Sequence, residues 1–133
     1  FSAATGLPIE TNEALLEHEL GVFNGLSKTE IAARGDYPEK KTGRWRWRPE
    51  GGETYEEIYE RVIAFLLKEV LGRAGESVLL TSHAITMRMI RAFLENSAPL
   101  YPEQIAENGE IWDIPFAGMG RPAPVRELRL DRE

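Results

Sequence analysis

Apolar positions recur at three- and four-residue intervals in two stretches of the chain. Ile58, Val62, Phe65, Leu66 and Val70 mark one face of a helix predicted from about Tyr55 to Leu71 and stopped at Gly72. Thr54-Tyr55-Glu56-Glu57 opens it with the spacing of a capping box, in which hydroxyl and carboxylate cover each other's orphan N–H groups. Ile85, Met89, Ile90, Phe93 and Leu94 mark a second helix, from just after His83 to about Asn96. Arg88 and Arg91 fall off that apolar face and are expected at the surface. A second capping box, Ser27 to Glu30, predicts a short helix from about Lys28 to Arg34, ended by Gly35.

Between these helices the pattern shortens. Val78-Leu79-Leu80 is a continuous apolar run and reads as a short buried strand, ended by Thr81 and Ser82. Leu7 to Glu10 reads as another short strand. Ala74-Gly75-Glu76 reads as a turn, and Asn108-Gly109 as a tight turn. Pro102 suits the first turn of a short helix running to about Glu107. Ile111 to Phe116 and the alternating Val125 to Leu130 read as two strands able to pair as a hairpin across the Gly/Pro loop Ala117 to Pro124. The stretch from Ala14 to Leu26 has neither period. Its Gly21 and Gly25 predict a folded-back loop with positive φ angles. Asp36 to Gly52 is the least regular part. It interleaves Lys40, Lys41, Arg44, Arg46 and Arg48 with Trp45 and Trp47, whose rings would share one side if the segment were extended.

Composition narrows what this pattern can be. At 133 residues and 42% hydrophobic content, one domain covering residues 1–133 is expected. The formal charge of −6 argues against a general nucleic-acid surface. The chain has no cysteine, which excludes disulfides, thiolate metal sites and a cysteine nucleophile. No stretch is long enough to span a bilayer, and Phe1-Ser2-Ala3-Ala4 is not a basic-plus-apolar signal, so a cytoplasmic location is expected. The opening residues, with Gly6 and Pro8 close behind, read instead as the end of a helix, with more chain expected upstream. There is no phosphate-binding glycine loop and no serine nucleophile elbow, and two distant histidines make no zinc site.

The candidate chemistry centres on His83. It sits between a predicted strand and a helix N-terminus, where free N–H groups and the positive dipole end suit an anion such as phosphate. There it can stabilise an oxyanion, donate a proton or bind a metal; equally, it can cap the helix or fill a polar gap. Glu17, His18 and Glu19 are the polar candidates of the irregular loop; each also reads as a solvated loop residue, and for His18 and Glu19 that reading is favoured. The Arg/Trp segment can stack on single-stranded nucleic acid, guide a phosphorylated ligand, or form a lid or rim whose tryptophans pack on the body. The acidic whole favours the lid or rim.

Three blocks of this chain resemble the histidine phosphatases, the phosphoglycerate-mutase-like superfamily. Leu15 to Gly25 is similar to its L-x-E-x-x-x-G-x-x-x-G block, Gly51-Gly52-Glu53-Thr54 to its G-G-E-S/T helix opening, and Ser82 to Arg88 to its S-H-G-x-x-x-R block. Order and spacing agree. The resemblance implies a three-layer α/β/α sandwich with a mostly parallel sheet. It implies phosphoryl transfer through a phosphohistidine, with no metal and no other cofactor. By match, Glu17 would donate the proton to the leaving oxygen, and His83 would be the second histidine, against the phosphoryl oxygens. The Ala84 N–H would lie against the same phosphate, with alanine in place of the usual glycine.

The R-H-G motif that carries the family's nucleophilic histidine is absent from these residues. The resemblance therefore implies a fold incomplete at its N-terminus, the C-terminal two-thirds of such an enzyme, inactive by itself. It also implies exposed sheet edges, covered by association with the missing N-terminal segment or by a homodimer. The short interval between the Glu17 and Gly51-Gly52 blocks favours a phosphatase of small phosphomonoesters over a phosphoglycerate mutase. A non-catalytic phosphoanion- or protein-binding member stays open beside both. Arg44, Arg46 and Arg48 would face the negatively charged substrate. A small phosphorylated substrate or phosphate is thus the expected partner, with no nucleic acid and no membrane.

Overall fold

The structure, a computed structural model, describes residues 2–38, 40–73, 75–115 and 126–128. In chain order the elements are α1 (Ser2–Thr5), α2 (Lys28–Arg34), α3 (Lys41–Arg44), α4 (Tyr55–Phe65), α5 (Ala84–Leu94), β1 (Ile111–Asp113) and β2 (Arg126–Leu128). Single 3₁₀ turns occupy Glu13–Leu15 and Gly21–Phe23, and a π turn, Leu66–Val70, continues α4.

Both capping boxes form. Ser27 and Glu30 close the start of α2, Thr54 and Glu57 that of α4, and Gly35 ends α2 in the left-handed region at φ 73°. Along α4 and its π turn, Ile58, Val62, Leu66 and Val70 are buried. The π turn carries the chain on past Phe65 with the Leu71 N–H donating to the Leu66 carbonyl at 2.8 Å. Leu66 and Val70 stay on the buried side, so the apolar stripe outlasts the α-helical ladder. Met89, Ile90 and Ala92 of α5 complete the core, with Trp45 and Tyr101 closing it. Ile58, Val62 and Met89 are fully buried, and each such side chain contributes about 2 kcal/mol through removal from water.

Other expectations are corrected. Val78 to Leu80 is irregular, with Val78 37% and Leu79 61% exposed. Leu7 to Glu10 is irregular as well, and Leu7 and Ile9 are exposed. A strand exists only through a neighbouring backbone, and among the described residues none lies opposite either run. The one sheet described is the antiparallel hairpin β1–β2, with Ile111 opposite Leu128 and Asp113 opposite Arg126; the two expected strands pair, but β1 stops at Asp113 and Ile114 and Pro115 are irregular. Phe116, the Ala117 to Pro124 loop, Val125, Leu130 and Ala74 lie outside the described residues.

The predicted Pro102 to Glu107 helix is absent. Tyr101 is buried, and the Arg88 guanidinium takes the Glu103 carbonyl at 2.6 Å, so a helix would have to surrender both anchors. Arg88 itself is 5% exposed, not a surface residue. Its guanidinium lies 5.3 Å from the Tyr101 ring centroid, a cation–π contact that replaces part of the lost hydration. Arg91 is only partly exposed, paired with Glu95 at 2.7 Å. The two tryptophans part company. Trp45 stacks towards Tyr59 and Tyr101 in the core, while Trp47 meets Phe23 and Tyr37 edge-on. Helical backbone at Trp45 (φ −57°, ψ −46°) removes the extended geometry that would have aligned them.

Candidate functional site

The irregular loop from Leu15 to Gly21 is laid across the N-terminus of α5. Ser82 Oγ donates to the Leu15 carbonyl at 2.7 Å and Thr86 Oγ1 to the Leu16 carbonyl at 2.6 Å. These two bonds hold the backbone immediately before Glu17. Its carboxylate accepts the Ile85 N–H, at 3.2 Å to Oε1 and 3.3 Å to Oε2, and Oε1 also accepts the His18 N–H at 2.9 Å. Glu17 thus covers one of the orphan donors of α5 and sits in the field of its positive end. His83 is the N-cap residue, with extended backbone (φ −117°, ψ 167°) and no side-chain capping bond, and it is exposed. Ala84 is the first helical residue. Among the described residues only Asn96 is a non-glycine with positive φ, so a Cβ at Ala84 meets no glycine-only conformation.

The loop is held from the other side by α4. Arg61 donates to the carbonyls of Ala14 at 2.6 Å, Leu16 at 3.0 Å and Glu17 at 3.5 Å. Glu53 holds Arg61 in turn, with Nε at 3.1 Å and Nη2 at 2.9 Å from its carboxylate, and also accepts the Glu19 N–H at 3.1 Å. The Glu53 N–H completes the tie, donating to the Glu19 carbonyl at 2.9 Å.

The motif glycines explain themselves here. A Cβ on Gly21, at φ +55°, would stand 2.0 Å from the Glu50 carbonyl oxygen, and one on Gly52 would stand 2.4 Å from the Glu19 carbonyl oxygen. The two blocks therefore touch backbone to backbone, joined by the Val22 N–H to the Glu50 carbonyl at 2.9 Å. Blocks separated by some thirty residues of sequence, and a third beyond them, meet at one helix terminus.

The family model of the histidine phosphatase superfamily (branch 1) matches residues 1–120. The chain belongs to the histidine phosphatase superfamily. A 2,3-bisphosphoglycerate-dependent phosphoglycerate mutase 2 of Gloeobacter violaceus is 31% identical over 117 residues, which are 84% of this chain and 51% of that protein. The corresponding mutase of Nitrobacter winogradskyi is 32% identical over 107 residues, 76% of this chain and 49% of that protein. The chain thus spans about half the length of the curated relatives it matches. Among solved structures, a mycobacterial glucosyl-3-phosphoglycerate phosphatase with inorganic phosphate superposes with a TM-score of 0.69 at 21% identity, over 98% of this chain and 68% of that one. That likeness carries the α/β, phosphoglycerate-mutase-like fold. The layered parallel sheet itself does not appear among the described residues.

Within this histidine phosphatase chain the other sequence candidates fall into two groups. His18 and Glu19 serve the loop. The His18 ring is buried, its Nε2 2.8 Å from the Glu53 carbonyl oxygen and its edge against Tyr55. Glu19 accepts the Gly21 N–H and the Asn24 amide, and these bonds hold its carboxyl below the ordinary value. Burial pushes the Tyr55 phenol well up, so it stays neutral beside them. The arginines of the Trp segment are occupied elsewhere. Arg44 donates to the Pro38 carbonyl at 2.7 Å and lies over Tyr37. Arg46 pairs with Glu56 at 3.1 Å and Arg48 with Glu57 at 2.5 Å, bonds that hold both carboxyls below their ordinary value. No contact described for Arg44, Arg46 or Arg48 reaches Glu17, His83 or Ala84.

Among the described residues no group of three or more His, Asp or Glu side chains could hold a metal ion, and no helix is long and apolar enough to cross a membrane. The residue that sequence reasoning missed is Arg61. Its one signal is position: three residues after Ile58 and beside Val62, it is a charge at the edge of a stripe otherwise apolar.

Proposed function

We propose that the protein is a phosphoryl-transfer enzyme that hydrolyses small phosphomonoesters, with Glu17 as proton donor and with His83 and the Ala84 N–H against the phosphoryl oxygens. The observation that carries the reading is the bond from the Ile85 N–H to the Glu17 carboxylate, which brings a carboxyl group to the anion-favouring helix end where His83 is the N-cap residue. An imidazole supplied by chain outside these 133 residues attacks phosphorus. The P–N bond forms as the bond to the leaving oxygen breaks, and Glu17 delivers its proton to that oxygen. Water then displaces the phosphoryl group from nitrogen and gives its proton to the Glu17 carboxylate, which restores the imidazole and the acid. Oε1 of Glu17 accepts the His18 N–H and shares the Ile85 N–H with Oε2, bonds that hold the carboxyl group in place at the head of α5. His83, with no capping duty to hold its ring, and the Ala84 N–H stabilise the equatorial oxygens. The relatives that are phosphoglycerate mutases support phosphoryl transfer as the chemistry, and the short interval between the blocks supports hydrolysis over mutase action.

In the full-length protein, turnover of p-nitrophenyl phosphate is expected to be inhibited competitively by vanadate. His83→Ala should weaken that inhibition at least about 30-fold, the loss of one charged contact to an oxyanion. An unchanged inhibition constant would remove His83 from the phosphate site. The Arg/Trp segment provides the second test. Arg46→Glu and Arg48→Glu are expected to raise KM for anionic substrates several-fold, since each reverses a charge at the proposed rim. Glu56→Gln and Glu57→Gln controls separate this from the loss of the ion pairs. KM values unchanged for all substrates would take both arginines out of substrate binding.

A further inference from the structure

We infer that Arg61, locked by Glu53, is a positioning residue that sets Glu17 for proton transfer, an assignment that rests on Glu17 being the proton donor. One guanidinium reaches three carbonyls of the loop, those of Ala14, Leu16 and Glu17, within 3.5 Å. They belong to the residue whose side chain meets α5 and to two residues just before it. The segment belongs to no sheet; among the bonds described, Ser82 holds the Leu15 carbonyl and Thr86 shares the Leu16 carbonyl with Arg61. Arg61 is thus the only tie from α4 described for the Ala14 to Glu17 backbone. Its own direction is fixed by two bonds to Glu53, with side chains about one-fifth exposed on each partner. A planar fork with five donors can hold a carboxylate and several carbonyls at once, and an ammonium cannot reproduce that geometry. Displacement of a reacting group by a fraction of an ångström to one ångström is enough to lower a rate by one to two orders of magnitude.

The experiment compares two substrates in the full-length protein. Glycerol 2-phosphate releases an alkoxide and needs a proton, whereas p-nitrophenyl phosphate releases an anion that leaves without one. Glu17→Gln is the reference. Arg61→Lys and Glu53→Gln are expected to lower kcat for glycerol 2-phosphate about 30-fold and for p-nitrophenyl phosphate less than about 3-fold, the selectivity of a misplaced acid. Their melting midpoints should allow comparison of folded protein. Equal losses on the two substrates, or none, would overturn the assignment and leave Arg61 a structural residue. If Arg61→Lys does not fold, Glu53→Gln decides, and failure of both to fold counts against positioning in the same way. If Glu17→Gln itself shows no leaving-group selectivity, the proton-donor reading has failed, and the result is distinguishable because the reference variant alone reveals it.

Discussion

Glu17→Gln is expected to lower kcat for an alkyl phosphate by about 10²–10⁴-fold, the range that general acid catalysis supplies. The substitution keeps the shape of the side chain, and the carboxamide oxygen can still accept the Ile85 N–H, so the loop and α5 stay docked. What disappears is the proton. An alkoxide expelled without one is a far poorer leaving group than an alcohol, and the deficit falls on P–O cleavage, hence on kcat. KM should move little, because Glu17 is not asked to bind the phosphoryl group. An alkyl-phosphate kcat within about 3-fold of the parent would mean that the proton comes from another group.

Gly21→Ala is the structural counterpart, with a large loss of stability expected. Alanine in the left-handed region costs about 1 kcal/mol before any contact is considered. Here the new Cβ would also stand 2.0 Å from the Glu50 carbonyl oxygen and 2.7 Å from Gly52 N, both backbone atoms that cannot swing aside. Relief requires the Gly21 and Gly51-Gly52 blocks to separate, which breaks the bond from the Val22 N–H to the Glu50 carbonyl. A total loss of about 3–5 kcal/mol follows from the overpacking and the broken bond together. Thermal denaturation should show a midpoint lower by roughly 10 °C or more. Gly25→Ala is the matched control. Gly25 has φ +80° and nothing within 4 Å of the added Cβ, so only the conformational cost, about 1 kcal/mol, remains. Equal midpoint losses for the two variants would show that the backbone contact carries no energy.

How far the sequence reveals this molecule depends on how local each determinant is. The capping boxes at Ser27 and Thr54 and the stripe from Ile58 to Val70 are settled by neighbours three and four residues away, and they were legible. Val78 to Leu80 looks like a strand, but pairing belongs to the partner as much as to the run, and periodicity is blind to the partner. The burial of Arg88 was illegible for the same reason: it depends on Tyr101 and the Glu103 carbonyl, thirteen and fifteen residues away. At the site, His83 stands out by its place before a helix N-terminus and Glu17 as a polar loop residue, with roles supplied by the motif resemblance; that Glu17 meets the Ile85 N–H of that helix is visible only in the fold. Arg61 carries no motif of its own. Its importance appears only when the carbonyls of Ala14, Leu16 and Glu17 are seen to converge on it.

The slung loop has a mechanical consequence. One end of its suspension is Arg61 on α4; the other is Ser82 and Thr86 at the head of α5. Glu17 therefore reads the relative slide of two helices, much as a cable reads the distance between two towers. Repacking at Val62 or Met89, deep in the seam between them and far from any phosphate, reaches the carboxyl through those anchors. On the role proposed for Glu17, the hydrophobic seam is then also the tuning device of the acid.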